Sequence, residues 1–307
     1  MDFFVTVLGS SSATFHKVRG LTSHVVSFKG RHFLIDCGEG TQIQMQRFRI
    51  PIQKIRHIFI THLHGDHFYG LIGLLSTYHL FHRKAPVHIY SHAPLEEIIL
   101  IQLQASKTKL SYPLHFHTIE ENDNRVLLED DFVQIKTFPM KHSVPANGFV
   151  FTEKNVKRSL IKEKIKNLNL PFEAYGMLKN GQDYFLSDGK IIRSEEVSTH
   201  PPAPRSYAFC SDTGYYEEVI PYIKDATLLY HEATFVDGDA PTAKLQEYHA
   251  NAREAALIAR KANAGKLMIG HFSARYSSLN PLLAEARAYF NNTVPAIDGK
   301  RYLIQAD

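Results

Sequence analysis

The sequence predicts an α/β fold in which helices cover two β-sheets. Its 307 residues are 44% hydrophobic and 21% charged, a composition typical of globular chains that bury a large core. Short alternating or apolar segments and amphipathic segments follow one another without strict βαβ repetition. This order favours sheets with many antiparallel pairs, covered by helices.

The spacing of apolar residues assigns the elements, with period two for strands and 3.6 for helices. Strands are predicted at 3–8, 23–28, 32–36, 57–61, 87–91, 114–119, 125–128, 133–140, 148–152, 206–210, 227–230 and 266–269. Helices are predicted at 40–48, 68–82, 95–106, 216–223, 252–264 and 281–290. Lys29-Gly30 is predicted to turn the second and third strands into a hairpin.

A basic insertion interrupts this order at residues 153–181. Within it, residues 153–166 hold six basic and two acidic side chains. A second basic stretch, residues 17–56, has eight Lys and Arg against only Asp36 and Glu39. Two basic patches in a chain of net charge +4 indicate a polyanionic partner, whereas a charge run alone also fits a solvated helix face.

The cysteine content and the hydropathy exclude several classes of protein. Two cysteines, Cys37 and Cys210, cannot build a disulfide framework or a four-cysteine zinc site, and both lie at apolar strand ends where burial is expected. We expect no signal peptide, because the opening segment alternates like a strand. The sequence has no uncharged apolar run of 18 residues, so we expect no membrane span and a cytoplasmic location.

A histidine-rich loop carries the strongest chemical signal. Thr61-His62-Leu63-His64-Gly65-Asp66-His67 follows the predicted strand 57–61 and precedes a predicted helix. Neutral imidazole and carboxylate are zinc ligands, and catalytic zinc sites keep one coordination position open. The alternating His62 and His64 can face one ion, and Asp66 and His67 a second.

Three further polar residues stand directly after predicted strands. His142 follows strand 133–140, Asp212 follows strand 206–210, and His271 follows strand 266–269. Side chains at the ends of neighbouring strands meet at one edge of a sheet, so these three are candidate ligands.

The H-x-H-x-D-H loop after a strand resembles the metallo-β-lactamase superfamily. That resemblance implies an αββα sandwich with metals at one edge of its two sheets. The closer resemblance, over essentially the whole chain, is to the ribonuclease Z family of tRNA 3′-processing endonucleases. It rests on I-T-H-L-H-G-D-H-x-x-G-L-x-G-L-L (60–75), H-E-A-T (231–234), D-C-G-E-G-T-Q (36–42), S-D-T (211–213) and the opening L-G-S.

The resemblance implies a two-metal centre with two Zn²⁺ ions per subunit. One metal takes His62, His64 and His142, the other takes Asp66, His67 and His271, and Asp212 bridges them. Mn²⁺ or Fe²⁺ fits the same mixed nitrogen and oxygen ligands. Paired metals activate water and neutralise charge on a phosphodiester.

The resemblance also implies the proton transfers. Asp66 accepts a proton from the attacking water, and His249, supported by Glu232 of the H-E-A-T segment, protonates the leaving 3′ oxygen. The implied substrate is precursor tRNA, cut to give a 3′-hydroxyl and a 5′-phosphorylated trailer. The family's H-S-T is here His249-Ala250-Asn251, and Asn251 is predicted to cap the following helix.

The family's P-x-K-x-R-N loop appears here as residues 15–20, F-H-K-V-R-G, so Lys17 and Arg19 are expected to contact RNA. The insertion 153–181 corresponds to the family's tRNA-binding arm on an otherwise single domain, residues 1–307. Its candidate phosphate contacts are Lys154, Lys157, Arg158, Lys162, Lys164 and Lys166. Phe172-Glu173 replaces the family's Gly-Pro, which implies a different arm shape. A homodimer is also implied.

Two other functions remain open at this point. A binuclear hydrolase of small phosphodiesters or sulfate esters uses the same metals without needing the basic insertion. A non-catalytic RNA-binding subunit keeps the fold, but it has no need of a complete ligand set.

Overall fold

Two seven-stranded sheets form the body of the protein. The computed structural model describes residues 3–305. The strands are β1 (Phe3–Gly9), β2 (Ser23–Phe28), β3 (Arg31–Ile35), β4 (Ile55–Phe59), β5 (Val87–Ser91), β6 (Leu114–Thr118), β7 (Val126–Glu129), β8 (Val133–Pro139), β9 (Asn147–Glu153), β10 (Tyr184–Phe185), β11 (Ile191–Ile192), β12 (Ser206–Cys210), β13 (Leu228–Glu232), β14 (Leu267–Gly270), β15 (Thr293–Pro295) and β16 (Arg301–Leu303).

Both large sheets mix parallel and antiparallel pairs, as the sequence predicts. The first has the order β16-β1-β2-β3-β4-β5-β6 and is parallel from β3 to β6. The second has the order β15-β14-β13-β12-β9-β8-β7 and is parallel from β12 to β15. Strands β10 and β11 form a separate two-stranded sheet.

Helices connect the strands and cover the sheets. They are α1 (Thr41–Arg47), α2 (Gly65–Phe68), α3 (Leu71–Leu80), α4 (Pro94–Ala105), α5 (Lys162–Ile165), α6 (Phe172–Lys179), α7 (Ser194–Val197), α8 (Ile220–Ile223), α9 (Ala243–Tyr248), α10 (Ala252–Lys261) and α11 (Asn280–Tyr289). Short 3₁₀ helices lie at Ile52–Lys54 and Glu217–Val219. None of the helices in the described part of the chain has the length and apolar character needed to cross a membrane.

Three apolar clusters make up the layered core. One cluster draws on both sheets and is rich in aromatic rings, including Phe59, Phe149 and Tyr230. A second packs α10 and α11 on the second sheet, and a third packs α3 and α4 on the first. The layers are therefore helix, sheet, sheet, helix. Cys37 and Cys210 are buried, unpaired members of the outer clusters, which confirms the interpretation of both as core residues.

Two local sequence signals are confirmed. Lys29 and Gly30 have φ of 49° and 76°, the left-handed conformation of a two-residue hairpin turn between β2 and β3. Asn251 accepts a hydrogen bond from the Glu254 backbone N–H, and the Glu254 carboxylate accepts one from the Asn251 N–H. This capping box begins α10.

The helix predicted at 68–82 is confirmed as α3, but its predicted start is wrong, because α2 ends at Phe68 and a break at Tyr69-Gly70 precedes α3. Gly70 donates its N–H to the Cys37 carbonyl at 2.9 Å. A Cβ on Gly70 would lie 2.1 Å from the Gly38 carbonyl oxygen, so the close approach of two loops requires glycine there. This contact holds the loop after β3 against the histidine loop.

The basic insertion has a small core of its own. Leu170, Ala174, Leu178, Ile192 and Val197 are buried together, apart from the three main clusters. This cluster extends past residue 181, because α7 and the β10–β11 sheet complete it. We call residues 154–199 the arm segment.

The strand directions place the functional residues. The parallel strands β3 and β4 of one sheet and β12, β13 and β14 of the other carry the histidine- and aspartate-bearing loops at their carboxyl ends. Loops at the carboxyl ends of parallel strands are the usual position of an α/β active site.

Candidate active site

Three histidines from two loops converge on one point. The Nε2 atoms of His62 and His142 lie 3.1 and 3.0 Å from Nδ1 of His64. Asp212 Oδ2 lies 3.8 Å from His62 Nε2. Together these four side chains offer a nitrogen-rich pocket for a metal ion.

A second cluster stands beside the first. Nε2 of His67 and Nε2 of His271 face two carboxylates, Asp66 and Asp212. Asp212 Oδ1 lies 3.4 Å from the His67 nitrogen and 3.2 Å from the His271 nitrogen. Asp66 Oδ2 lies 3.5 and 3.6 Å from the same two nitrogens.

Asp212 belongs to both clusters, with one carboxylate oxygen toward each. Burial by itself raises the pKa of Asp212, yet the surrounding imidazoles of His271 and His67 hold it well below its usual value. The carboxylate is therefore ionised and suited to bridge two cations.

The outer nitrogen of four of the five imidazoles is held by a neighbour. Nδ1 of His67 lies 2.8 Å from Asp36 Oδ2, and Nδ1 of His271 lies 2.9 Å from Thr234 Oγ1. Nδ1 of His142 bonds the Tyr248 carbonyl at 3.0 Å, and Nδ1 of His62 bonds Thr61 Oγ1 at 3.0 Å. Such outer partners orient each ring so that Nε2 faces the centre.

These residues fit a divalent metal, as two buried atoms indicate. Nε2 of His67 and Nε2 of His271 have no hydrogen-bond partner although both rings are buried. An unpartnered buried nitrogen is costly unless another group meets it. Two unpaired imidazole nitrogens facing two carboxylates make a donor set that a cation satisfies.

Two site residues have a left-handed backbone. Asp36 and His271 have φ of 54° and 58°, a region that non-glycine residues adopt uncommonly, with asparagine, aspartate and histidine the most frequent among them. The Asp36 carboxylate accepts the Thr61 backbone N–H at 2.8 Å and also meets the Thr61 hydroxyl and His67. These contacts stabilise the unfavourable conformation at the place where the ligand loops meet.

Glu232 and His249 form a buried pair next to the second cluster. His249 Nδ1 lies 3.0 Å from Glu232 Oε1, and Glu232 Oε1 also accepts the Thr213 N–H at 2.8 Å. Burial lowers the pKa of His249, but the neighbouring carboxylates, chiefly Glu232, outweigh burial and raise it to about 9. The imidazole thus carries a proton near neutral pH and can donate it.

A cleft of about 660 Å³ opens over this centre. Asp66, Asp212, His249 and His271 line its floor. The exposed rings of Phe15 and Tyr69 line its walls. A substrate entering the cleft meets the carboxylates and the His249 imidazole directly.

The two residues predicted to contact RNA beside the cleft differ from each other. Lys17 is exposed. Arg19 is 7% exposed, and its Nη2 donates to the Tyr276 carbonyl at 3.0 Å and the Ser273 carbonyl at 3.4 Å. The structure therefore gives Arg19 a structural role in place of the predicted RNA contact, because its guanidinium joins the loop at 10–20 to the loop after β14.

The arm segment exposes four of its six predicted contacts, Lys157, Lys162, Lys164 and Lys166. Lys154 is half-buried and pairs with Glu129, and Arg158 donates from Nε to Ser198 Oγ at 2.8 Å. Phe172, the departure noted in the sequence, is 94% exposed at the start of α6.

Sequence reasoning missed the residues that orient the ligands. Asp36 and Thr234 lie inside the segments D-C-G-E-G-T-Q and H-E-A-T, but the sequence alone does not indicate their role. A polar residue directly after an apolar strand, as Asp36 is after β3, is the signal that identifies it. The Tyr248 carbonyl carries no side-chain signal at all.

Comparison with known proteins decides the family. The chain is 43% identical to the Ribonuclease Z of Cytophaga hutchinsonii over 99% of its own length and 97% of that protein. It is 38% identical to the Ribonuclease Z of Phocaeicola vulgatus, over 99% and 98%. The chain belongs to the ribonuclease Z family. Residues 3–164 also match the family model described as Anti-Pycsar protein Apyc1, which places that half of the chain in this second family as well.

Solved structures agree with that membership. Human tRNase Z, short form, superposes with a TM-score of 0.69 at 25% identity, over 98% of this chain and 99% of that one. The metallo-β-lactamase fold protein YhfI from Bacillus subtilis gives a TM-score of 0.69 at 19% identity, over 99% and 100%. The predicted αββα fold and the resemblance to ribonuclease Z are confirmed, and this member is a metal-dependent nuclease of the hydrolase class.

Proposed function

We propose that this ribonuclease Z family member cuts precursor tRNA at its 3′ end, leaving a tRNA 3′-hydroxyl and a 5′-phosphorylated trailer. One observation carries the proposal. The Glu232–His249 pair, 3.0 Å apart, stands in the same cleft as Asp66 and Asp212, in a chain about as long as its Ribonuclease Z relatives. A proton donor beside a phosphate-binding centre is what cleavage of a P–O3′ bond requires.

We assign the two clusters described above as the residues that would hold two Zn²⁺ ions, with Asp212 shared by both clusters. A bound divalent metal lowers the pKa of water and neutralises the negative charge of a phosphate. The imidazoles of His62, His67 and His271 are buried and that of His142 is partly buried. All four are held at their outer nitrogens, which supports this assignment, because such rings are oriented before any ion arrives.

The protein's own side chains move the protons. Asp66 is 13% exposed on the cleft floor, and its Oδ2 accepts the Ala13 N–H at 2.8 Å, which orients the carboxylate that we assign as proton acceptor for the attacking water. His249 donates its proton to the departing 3′ oxygen. Glu232 holds His249 in place and stabilises the protonated ring before the proton is transferred.

We infer that the arm segment grips the tRNA on an otherwise single domain. The exposed lysines 157, 162, 164 and 166 support phosphate contacts, which position RNA without reading its sequence. We also infer a homodimer. Leu80 and Phe81 at the end of α3 and Leu100 and Ile101 on α4 are exposed by 49% to 70%, an apolar surface suited to a second copy.

The test incubates purified protein with a precursor tRNA that carries a 3′ trailer. Wild type and Asp66→Ala run side by side, and the product ends are mapped. We expect one cut near the acceptor end, made by wild type alone. No cut by wild type, despite two bound metals per chain, contradicts the proposal.

A second candidate is hydrolysis of small phosphodiesters at the same centre. The match of residues 3–164 to the Anti-Pycsar protein Apyc1 family includes the histidine loop but ends within the arm segment, and a small substrate does not require that segment. The matches to Ribonuclease Z include the arm segment, and they support the tRNA substrate instead. Turnover of bis-p-nitrophenyl phosphate without turnover of precursor tRNA distinguishes the small-molecule enzyme.

A further inference from the structure

A second basic site lies at the end of the strands opposite the metal ligands. The sequence has an excess of basic residues in 17–56, and the arm segment does not include them. Arg31 begins β3 and Arg56 lies at the start of β4, whereas the metal ligands follow the carboxyl ends of such strands. With Lys54 and the β7–β8 turn, they surround a cavity of about 540 Å³ that we call the strand-start pocket.

The charge of the strand-start pocket is one-sided. Arg31, Lys54 and Arg56 line it, and Asp130 is the one acidic side chain among its described lining residues. Asp130 is already occupied, because Arg31 holds it with two contacts and the N–H groups of Phe132 and Val133 donate to Oδ1 at 2.7 and 3.1 Å. Lys54 and Arg56 are exposed.

The positive charge of the pocket also lowers the pKa of two histidines that line it. Partial burial lowers the pKa of His32, and Lys54 and Arg301 lower it further. Burial lowers the pKa of His57 to about 4, with neighbouring histidines, Arg31 and Arg56 adding to the effect. Both rings line the pocket as neutral groups that can each donate one N–H to an anion.

The pocket lies next to a cavity at the base of the arm segment. Lys29, one residue before the Gly30 that lines the strand-start pocket, lines the neighbouring cavity together with Lys157, Arg158 and Lys162. Phe132, which is 45% exposed, contacts one residue from each cavity, with Lys29 Nζ 4.2 Å and Arg31 Cζ 5.4 Å from its ring centroid. Cations next to an exposed aromatic ring suit a strand that presents both phosphates and bases.

We propose that the strand-start pocket binds backbone phosphates of the RNA substrate through Lys54 and Arg56, beside the Arg31–Asp130 pair, and that Phe132 stacks on an adjoining base or ribose. The identity of the RNA rests on the proposed function. The pocket extends the positive surface of the arm segment across the β2–β3 turn. Its contacts carry charge and no base reading, so they add affinity without sequence preference.

The test neutralises the two exposed cations together, as Lys54→Gln/Arg56→Gln. The matched control is Lys224→Gln/Arg260→Gln, which removes the same charges from exposed positions beside the second sheet. Binding of a labelled precursor tRNA by the metal-loaded protein is measured between about 50 and 200 mM salt. Hydrolysis of bis-p-nitrophenyl phosphate reports on the metal centre and should be equal in all three proteins.

We expect the pocket variant to bind the RNA about tenfold more weakly, and the slope of log affinity against log salt to become shallower by about 1 to 2. The control should match wild type in both. Phe132→Ala should weaken binding severalfold with an unchanged salt slope, because stacking releases few counterions. Equal affinities and slopes in wild type and the pocket variant overturn the proposal.

A small phosphate is the other source of the same chemistry, and calorimetry with inorganic pyrophosphate tests it. Pyrophosphate binding that the pocket variant loses, with RNA affinity unchanged, overturns the RNA assignment. These binding measurements do not require cleavage. If wild type fails to cut precursor tRNA, the proposed function is contradicted. If the salt slope is still shallower in the pocket variant than in wild type, the pocket proposal is supported nonetheless.

Discussion

The two ends of the strands use charge in opposite ways. At the carboxyl ends, His62, His67, Asp212 and His271 are at most 2% exposed and each has neighbours that fix its orientation. At the amino ends, Lys54 and Arg56 are exposed to water. Buried charges interact strongly and depend on one another, whereas exposed charges are screened and nearly additive.

This difference predicts the sensitivity of each end to substitution. Removing one group from the buried centre leaves its partners unpaired, so the effect exceeds that of the lost contact. Removing one exposed cation removes only the contribution of that cation to the electrostatic potential of the surface. Four experiments measure that contrast.

The largest effect is expected for His249→Ala. Loss of the proton donor should lower kcat on precursor tRNA about 100- to 10,000-fold. The loss should be much smaller on bis-p-nitrophenyl phosphate, because nitrophenolate leaves without protonation. His200→Ala, at an exposed histidine of no assigned role, is the control. Equal losses on the two substrates would mean that His249 serves the metal centre in another way.

Asp36→Asn should weaken metal binding about 10- to 100-fold, because the amide holds the His67 ring less firmly than the carboxylate. Metal content after equilibration in graded zinc buffers measures the change. Asp225→Asn, an exposed aspartate far along the chain, should bind metal as wild type does. Unchanged affinity in the Asp36 variant would remove the orienting role assigned to it.

Thr234→Val tests the hydroxyl that joins the two functional groups of the centre. Thr234 Oγ1 contacts both Glu232 Oε2 and His271 Nδ1. The isosteric change leaves two buried polar atoms unpaired and should cost about 1–3 kcal/mol in free energy of unfolding. Urea titration of the metal-free protein measures it. Thr234→Ser keeps the hydroxyl and should retain most of the stability. A Ser variant as unstable as the Val variant would contradict the role assigned to the hydroxyl.

The smallest effect is expected at the amino end, for His57. Its pKa is about 4 in the folded protein, below the ordinary value of 6.5. The unfolded chain therefore binds the proton first as pH falls, so stability is full above about pH 6.5 and decreases from there toward pH 4. When the pH is lowered from 7.5 to 5, the free energy of unfolding measured in urea should decrease by about 1–2 kcal/mol less in His57→Gln than in wild type. Parallel pH curves would contradict the assigned shift.

Much of the fold was predictable because its signals are local. Alternating apolar residues predicted most strands of both sheets, and the Lys29-Gly30 turn and the Asn251 cap need only neighbouring residues. The short edge strands β15 and β16 and the helix α9 were missed, since pieces of three to six residues carry little periodicity. The start of the helix predicted at 68–82 is wrong for a non-local reason, because Gly70 packs against Gly38 and α3 begins only at Leu71.

The candidate site divides in the same way. The seven proposed ligands were found because each follows an apolar strand, and chain order alone brings such positions to one edge of the sheets. The sequence does not predict which nitrogen of each histidine ring faces the centre. The bonds that decide it join residues 31, 37 and 106 positions apart.

The sequence by itself determined the family, the chemistry of the centre and the existence of two basic patches, because residue type and local spacing carry that information. Only the tertiary structure decided how each basic residue is used. Arg19 is buried against two carbonyls, Lys17 stays in water, and Lys54 joins a pocket. Exposure and hydrogen-bond partners are set by distant segments that fold onto a residue, and one-dimensional charge counts do not contain them.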